Sequence, residues 1–363
     1  MKGRLVALAG LEKTEIQEYD LPEVEPGAGL LKVRRANVCG SDLHIYHHLS
    51  VALRDIVMGH EFVAEIEQLG AGLTTDSAGA ELRVGDRVVV VYFYTCHRCA
   101  ACDRGDFAMC LNSMRSMALR PETAPHFHGA FATHFYLPPG QYFYKVPDDL
   151  DDAEVAGANC GLAQVMFALD KMGLGRGQTV VVQGAGGLGL YAAALAKTSG
   201  ARVIVVEGEP ARVEAARRFG ADDVVDFSVH RTAQERAEQV AALTGGRGAD
   251  LVLEVTGRAE AFLEAIEFAR IGGGIASVGN LNVGERFQLT FAPALLTRKQ
   301  LRVHGYLRYD PWYLRKALEF LQATKDRFPF ASLSDRVYTI DEIDQAIARS
   351  ESRDVARAAV VPG

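Results

Sequence analysis

The rhythm of apolar and polar positions changes partway along the chain. Before about residue 155 the apolar runs are short and end at Gly, Pro or Asp. In Leu30-Leu31-Lys32-Val33-Arg34, apolar and basic residues alternate from Leu31 onward, and further runs lie at 61–66, 86–91 and 132–137. Short segments of this kind between turn residues predict strands, here in a β-rich, irregular domain. From about 156 to 300, apolar strands alternate with alanine-rich helical stretches. The strand at 179–183 leads to a helix ending near Ser199, and that at 202–206 to a helix ending near Phe219. Strands at 224–226, 251–255 and 274–278 follow. This alternation predicts an α/β fold with a doubly wound parallel sheet. The tail offers a helix from Pro311 to about Thr324, a further segment at 341–349 and a closing strand at 356–361. Neither an internal repeat nor a low-complexity linker is visible.

Composition narrows the class. A chain of 363 residues fits about two domains. Hydrophobic residues make up 48% and charged residues 23%, as in ordinary globular proteins. A net charge of −7 with no Lys/Arg-rich cluster argues against a nucleic-acid-binding face. No apolar run approaches the roughly 18 residues a membrane span needs. The basic N-terminus opens an apolar run that breaks at Gly10 and Glu12, too short for a signal peptide. The expected compartment is the cytosol, with neither nucleic acid nor membrane as partner.

The six cysteines supply the chemistry. Four lie close together as Cys96-x2-Cys99-x2-Cys102-x7-Cys110, a run able to close around one zinc as a tetrahedral thiolate site. Cys39 and Cys160 are isolated, with Gly59-His60-Glu61 between them in the sequence. Two cysteines and one histidine would leave a fourth zinc position for water or substrate, as a catalytic zinc requires. The bland alternative is that Cys39 and Cys160 are small buried apolar residues. Metal spacing fits a reducing compartment better than a disulfide framework does.

Gly184-Ala185-Gly186-Gly187-Leu188-Gly189 follows the strand at 179–183 and opens a helix. A GxGxxG in that setting predicts a dinucleotide site. Gly184 allows the tight turn, Gly186 lets the backbone approach a pyrophosphate, and Gly189 permits close helix–strand packing. The helix N-terminus faces the phosphate charge. The next strand ends in Glu207, where a carboxylate can accept ribose hydroxyls and repel a 2′-phosphate, favouring NAD over NADP. Arg212 tempers this, since a nearby arginine could accommodate the phosphate.

Taken together, the CGSDxH segment at 39–44, Gly59-His60-Glu61, the four-cysteine lobe and the GxGxxG fold resemble the zinc-dependent medium-chain alcohol dehydrogenases, over almost the whole chain. The resemblance implies a β-rich GroES-like catalytic domain at 1–155, a Rossmann nucleotide domain at 156–302 and a return to the catalytic domain at 303–363. It places a catalytic zinc on Cys39, His60 and Cys160 and a structural zinc on Cys96, Cys99, Cys102 and Cys110, two per chain. Asp42 matches the carboxylate that orients the liganding histidine, and Glu61 the acid beside the zinc. Ser41 and His44 match a proton relay, and Arg357, with Arg353 as a substitute, the tail arginine at the cofactor pyrophosphate. The implied activity interconverts an alcohol and its ketone or aldehyde with NAD, in a homodimer or homotetramer.

Two departures stand out. Cys160 fills the third ligand position where polyol-type relatives often carry glutamate, and Gly40 replaces a basic residue some relatives use on the pyrophosphate. The substrate is less legible. Tyr92, Tyr46, His47, His48, His126 and His128 suggest a polar secondary alcohol, anionic were Arg115 or Arg120 its counter-charge; an ordinary loop surface is the plainer reading. A bare surface histidine at His44 and a helix cap at Ser41 are the plain readings of the relay. Two other classes stay open: a zinc-free quinone or enone reductase of the same superfamily, and a non-catalytic NAD-binding protein.

Overall fold

The computed structural model of the protein describes residues 1–47, 55–284, 287–352 and 355–363, apart from the side chain of Asp335. His48 and Arg353, both named above, lie outside the described residues.

Fifteen strands form among the described residues. A hairpin of β1 (Lys2–Gly10) and β2 (Lys13–Asp20) is followed by β3 (Gly29–Asn37), β4 (Glu61–Leu69), β5 (Arg87–Val90), β6 (His134–Leu137) and β7 (Phe143–Lys145). Six more come in succession: β8 (Thr179–Gln183), β9 (Arg202–Glu207), β10 (Asp223–Asp226), β11 (Ala249–Glu254), β12 (Ala269–Ser277) and β13 (Arg302–Gly305). The tail adds β14 (Ser334–Thr339) and β15 (Arg357–Val361).

The chain divides into two compact units, Met1–Ala163 with Asp310–Gly363, and Gln164–Tyr309. In the first, a seven-stranded sheet runs β14-β15-β3-β4-β5-β7, with β6 also pairing β3. Leu31, Phe62, Ile66 and Val88 are fully buried on it. The tail helix Ile343–Glu351 turns Ile343, Ala346 and Ile347 into the same core. Their i, i+3, i+4 spacing is the apolar stripe of a one-sided helix, and each full burial is worth about 1.5–3 kcal/mol for the larger side chains.

The second unit is a parallel six-stranded sheet of order β10-β9-β8-β11-β12-β13. Its central strands Thr179–Gln183 and Ala249–Glu254 are buried throughout, as expected for parallel strands covered on both faces. Strand order reverses between β8 and β11, which is where open α/β sheets bind ligands at the carboxyl ends of their strands.

Both unit boundaries fall later than the sequence placed them, at 163/164 and 309/310 rather than 155/156 and 302/303. The first shifts because the turn Ala158–Leu162 is anchored to β4 and β5 through Asn159. The second shifts because β13 completes the parallel sheet by pairing with β12.

Candidate active site and metal centres

Strand register brings the three isolated metal donors together. β3 and β4 are antiparallel with Asn37 opposite Glu61, so Cys39 just beyond β3 and His60 just before β4 emerge side by side. Cys160 arrives on a π-helical turn, Ala158–Leu162, closed by Leu162 N–H donating to Gly157 O at 3.3 Å. Asn159, fully buried, pins that turn: its Nδ2 donates to His60 O at 2.9 Å and Val90 O at 2.8 Å. The outcome is Cys39 Sγ 3.9 Å from Cys160 Sγ, and Cys160 Sγ 3.4 Å from His60 Nε2. Zinc bonds of about 2.3 Å to sulfur and 2.0 Å to nitrogen in a tetrahedron require separations of about 3.8 and 3.5 Å. The three donors therefore fit a zinc as they stand, and all three are buried.

Asp42 holds two of them in place. One carboxylate oxygen accepts from Cys39 N–H at 2.8 Å, and the other lies 3.1 Å from His60 Nδ1. With Nδ1 committed to Asp42, Nε2 is the nitrogen that faces the two sulfurs. Without metal, the Cys39 thiol is drawn well below its usual range, first by its contact with Cys160 and then by Arg357 and His60. Cys160 is pushed well above it by the same contact and by burial. Two thiols this close share one proton. Burial works against the His60 imidazolium, but Asp42 and Cys39 hold its pKa well above the usual value.

Ser41 and His44 sit on the helix Gly40–Tyr46 that follows Cys39. The helix takes Cys39 as its N-cap residue, so Ser41 is inside the first turn and is not a cap. Its Oγ is 3.2 Å from His60 Nε2. His44, partly buried, follows one turn on, and residues three apart share a helix face.

Glu61 and Arg357 form a buried pair behind the donors. Glu61 Oε1 accepts from Arg357 Nε at 2.9 Å and from Asn37 Nδ2 at 3.1 Å. Burial raises the Glu61 carboxyl to about 7 while Arg357 opposes that rise. Glu61 Oε2 and Arg357 Nη2 are buried with no hydrogen-bond partner among the described residues, orphaned atoms of the sort a metal or an anion can satisfy. Arg357, expected at a pyrophosphate, is thus tied through its Nε to Glu61 in the first unit.

The second cluster is local. Cys96, Cys99, Cys102 and Cys110 bring their sulfurs within 4.8 Å of one another. Cys96 N–H donates to Cys110 Sγ at 3.4 Å, and Asn112 Nδ2 to Cys96 Sγ at 3.2 Å. Backbone N–H groups of Cys102 and Leu111 lower the Cys99 thiol to about 6, whereas burial and its thiol neighbours push Cys102 to about 12. Four sulfur donors close a tetrahedron and leave no position for a substrate.

In the second unit the glycine-rich turn has the shape the sequence asked for. Gly184 has φ +96°, and a Cβ on Gly189 would lie 1.9 Å from Gly184 O. Gly186 has open space where a side chain would be, the approach a phosphate needs. Gly187 and Leu188 open the helix Gly187–Thr198, with Gly186 as its N-cap. Glu207, buried at the end of β9, accepts from Ala185 N–H at 3.0 Å, Gly208 N–H at 2.8 Å and Glu209 N–H at 3.1 Å. Its carboxylate therefore borders the glycine turn. Arg212 lies half-buried on the helix Pro210–Arg218 that follows. The turn, the helix N-terminus and this carboxylate fit a dinucleotide.

A pocket of about 610 Å³ in the first unit reaches Tyr92, whose ring centroid is 5.3 Å from that of His60. Asp20, Glu23 and Glu25 line it along with His126 and His128, and among the described residues no lysine or arginine does. Both histidines serve their own loop: His126 Nδ1 is 3.0 Å from Pro121 O and stacks on Tyr19, and His128 Nε2 is 2.9 Å from Thr123 O. Arg120 lies instead near Asp55 and Glu122 at the surface.

Sequence reasoning missed Asn159, although a lone amide inside the apolar stretch 155–163 was a signal that it had a structural task. It also missed Glu254, a fully buried carboxylate at the end of β11.

The chain is similar to known proteins along most of its length. Residues 25–148 match the alcohol dehydrogenase GroES-like domain and residues 187–323 the zinc-binding dehydrogenase family. A 5-exo-hydroxycamphor dehydrogenase of Pseudomonas putida is 33% identical over 93% of this chain and 93% of its own length. An alcohol dehydrogenase structure from Thermotoga maritima superposes with a TM-score of 0.92 at 27% identity, covering 100% of both chains. A zinc-binding dehydrogenase from Sinorhizobium meliloti 1021, bound to NADP, gives 0.84 at 25% identity over 100% of each. The chain belongs to the zinc-dependent medium-chain dehydrogenase family.

Proposed function

We propose that this dehydrogenase interconverts a secondary or polar alcohol and its ketone or aldehyde, with NAD as hydride carrier and two zinc ions per chain. The observation that carries the reading is the convergence of Cys39, His60 and Cys160 at zinc-fitting separations, three protein donors where a tetrahedral zinc takes four ligands. When bound, zinc there supplies Lewis acidity toward the substrate oxygen, and the nicotinamide supplies the hydride acceptor.

The chain's own residues orient the reactants and move the proton. Asp42 fixes the His60 ring and the Cys39 backbone, which sets the donor geometry. The Ser41 hydroxyl, beside His60 Nε2, would relay the proton of the substrate hydroxyl, taking it through a hydrogen bond while giving up its own toward His44. His44, on the same helix face, would pass it to solvent, a common task for an imidazole. Glu61 and Arg357 form a buried counter-charge behind the metal donors, with Arg357 Nη2 left without a partner among the described residues. The second zinc, on Cys96, Cys99, Cys102 and Cys110, contributes folding energy and no chemistry.

Glu207 supports NAD over NADP, because its carboxylate stands at the glycine turn where a 2′-phosphate would be repelled; Arg212 is the residue that could offset it. The pocket beside Tyr92 supports a neutral or cationic substrate body, since among the described residues its lining carries carboxylates without a lysine or arginine. That counts against the anionic substrate suggested by Arg115 and Arg120. A dimer or tetramer in the cytosol completes the reading.

A screen of neutral, cationic and anionic secondary alcohols, run with NAD and NADP in parallel, tests it. Reduction of NAD with neutral or cationic alcohols is expected. A preference for carboxylate-bearing alcohols would overturn the pocket reading, and a preference for NADP would overturn the role given to Glu207.

A further inference from the structure

Glu254 ends β11, one strand from β8, at the point where the order of the parallel sheet reverses. It is fully buried, yet its neighbours along the strand from Leu251 to Leu253 are apolar. Burying a carboxylate is costly unless donors surround it, and here they do. Glu254 Oε1 accepts from Thr256 N–H at 2.7 Å, Thr256 Oγ1–H at 2.7 Å and Gly257 N–H at 3.0 Å. Oε2 accepts from Asn280 Nδ2 at 2.8 Å. The backbone carbonyl of the same residue accepts from Val278 N–H at 3.0 Å and Gly279 N–H at 3.1 Å.

One residue therefore ties down two turns, Thr256–Gly257 after β11 and Gly279–Asn280 after β12. They meet backbone to backbone: a Cβ on Gly279 would lie 2.5 Å from Gly257 N, and one on Gly257 would lie 3.0 Å from Gly279 O. Thr256 also reaches the dinucleotide fingerprint. A Cβ on Gly184 would meet Thr256 Cγ2 at 3.1 Å, so Thr256 forms the wall that Gly184 turns against. The two bonds from Thr256 to Glu254 fix that wall.

We infer that Glu254 is a positioning residue for the nicotinamide dinucleotide. Through Thr256 and Asn280 it sets the shape of the crevice between the carboxyl ends of β8 and β11, without touching the cofactor itself. This rests on the dehydrogenase reading above, and it adds a determinant of cofactor affinity that lies outside the glycine motif and Glu207.

The test uses the full chain and NADH fluorescence in the absence of alcohol, with zinc content and amide hydrogen exchange measured alongside. Glu254→Ala is expected to weaken NADH binding by about 10-fold or more, as loss of a supporting contact loosens a preorganised site. Exchange should quicken at 256–257 and 279–280, zinc content should stay unchanged, and in turnover KM for NAD should rise more than kcat falls. Glu254→Gln should stay within about 3-fold of wild type, because its carbonyl keeps the three Oε1 donors and the Asn280 amide can flip to accept. Thr256→Val, which removes the hydroxyl that donates to Glu254 and accepts from Arg258 N–H at 3.1 Å, should weaken binding by about 3-fold and serves if Glu254→Ala does not fold.

Native NADH affinity in folded Glu254→Ala, or in Thr256→Val where the alanine variant does not fold, would overturn the inference. So would Glu254→Gln being as impaired as Glu254→Ala. Wild-type protein that binds neither NADH nor NADPH would instead overturn the dehydrogenase reading and this inference with it.

Discussion

The two cysteine clusters reach similar donor geometry by opposite routes. Cys96, Cys99, Cys102 and Cys110 belong to one lobe, and the chain between them needs only local turns to bring their sulfurs within 4.8 Å. Cys39, His60 and Cys160 come from three separate places, and only strand register and the π-turn unite them. The difference shows in what surrounds them. The local cluster is braced by its own backbone and by Asn112 near the surface. The dispersed one needs Asp42, Asn159, Glu61 and Arg357, all buried, to hold its donors. A local site folds with its metal, whereas a dispersed site is prepared by the fold and can leave a coordination position open.

Disabling each cluster in turn should separate folding from chemistry. The largest effect on stability is expected from Cys102→Ser, which opens the four-sulfur site. It should lose one zinc and lower Tm by about 5 °C or more, read by metal analysis and calorimetry. A Tm within a degree of wild type would mean that the lobe is not a zinc-dependent structural element.

Ser41→Ala addresses chemistry alone. It should reduce kcat by about 100-fold, the scale of one proton-transfer group, while zinc content and NADH affinity stay at wild-type values. A variant of full activity would remove Ser41 from the proton path.

The supporting residues sharpen the contrast further. Asn159→Ala strips a donor from His60 O and Val90 O and should cost about 2–3 kcal/mol in chemical denaturation. It should also weaken retention of the catalytic zinc, because Cys160 is the next residue. Asn112→Ala, at the exposed local lobe, should cost no more than about 0.5 kcal/mol. Equal costs for the two would contradict the claim that the dispersed site depends more on its surroundings.

The smallest effect concerns the helix that carries Ser41 and Asp42. Its far end is held by His47, whose Nδ1 lies 2.7 Å from Glu12 Oε1 and whose Nε2 lies 2.5 Å from Glu351 Oε1. Both nitrogens can donate only in the imidazolium. Burial works against that charge, but Glu12 and then Glu351 raise the pKa. A raised histidine contributes stability in full below its unfolded value, about 6.5, and loses it as pH climbs through the folded value. His47→Gln should therefore cost about 0.5 kcal/mol below pH 6.5, the usual size for exposed pairs, with the difference fading at higher pH. A difference that does not change with pH would exclude protonation as its source.

The sequence disclosed these regions unevenly, for physical reasons. The parallel strands β8, β9 and β11 were legible because burial on both faces makes them continuous apolar runs. The hairpin of β1 and β2 was not, since β2 is largely exposed and reads as a polar segment. β13 was missed because Arg302-Val303-His304-Gly305 has no apolar run; pairing with β12 makes it a strand. The four clustered cysteines were legible from their spacing, and Cys39, His60 and Cys160 from the family resemblance of the motifs that carry them. What braces the dispersed set was only partly so: Asp42 and Glu61 follow the ligand motifs closely, but Asn159 and the Glu61–Arg357 pair depend on register that no local pattern encodes. Glu254 was hidden for the same reason, as its four donors come from two turns that meet only in the fold.

Zinc stoichiometry and NAD-coupled turnover in Cys160→Ala, beside the wild type, test the central assignment most directly. Two zincs and alcohol oxidation are expected for the wild type, and one zinc, a native Tm within a few degrees and no turnover for the variant. A variant that keeps two zincs, or that still oxidises the alcohol, would contradict the placement of the catalytic metal on Cys39, His60 and Cys160.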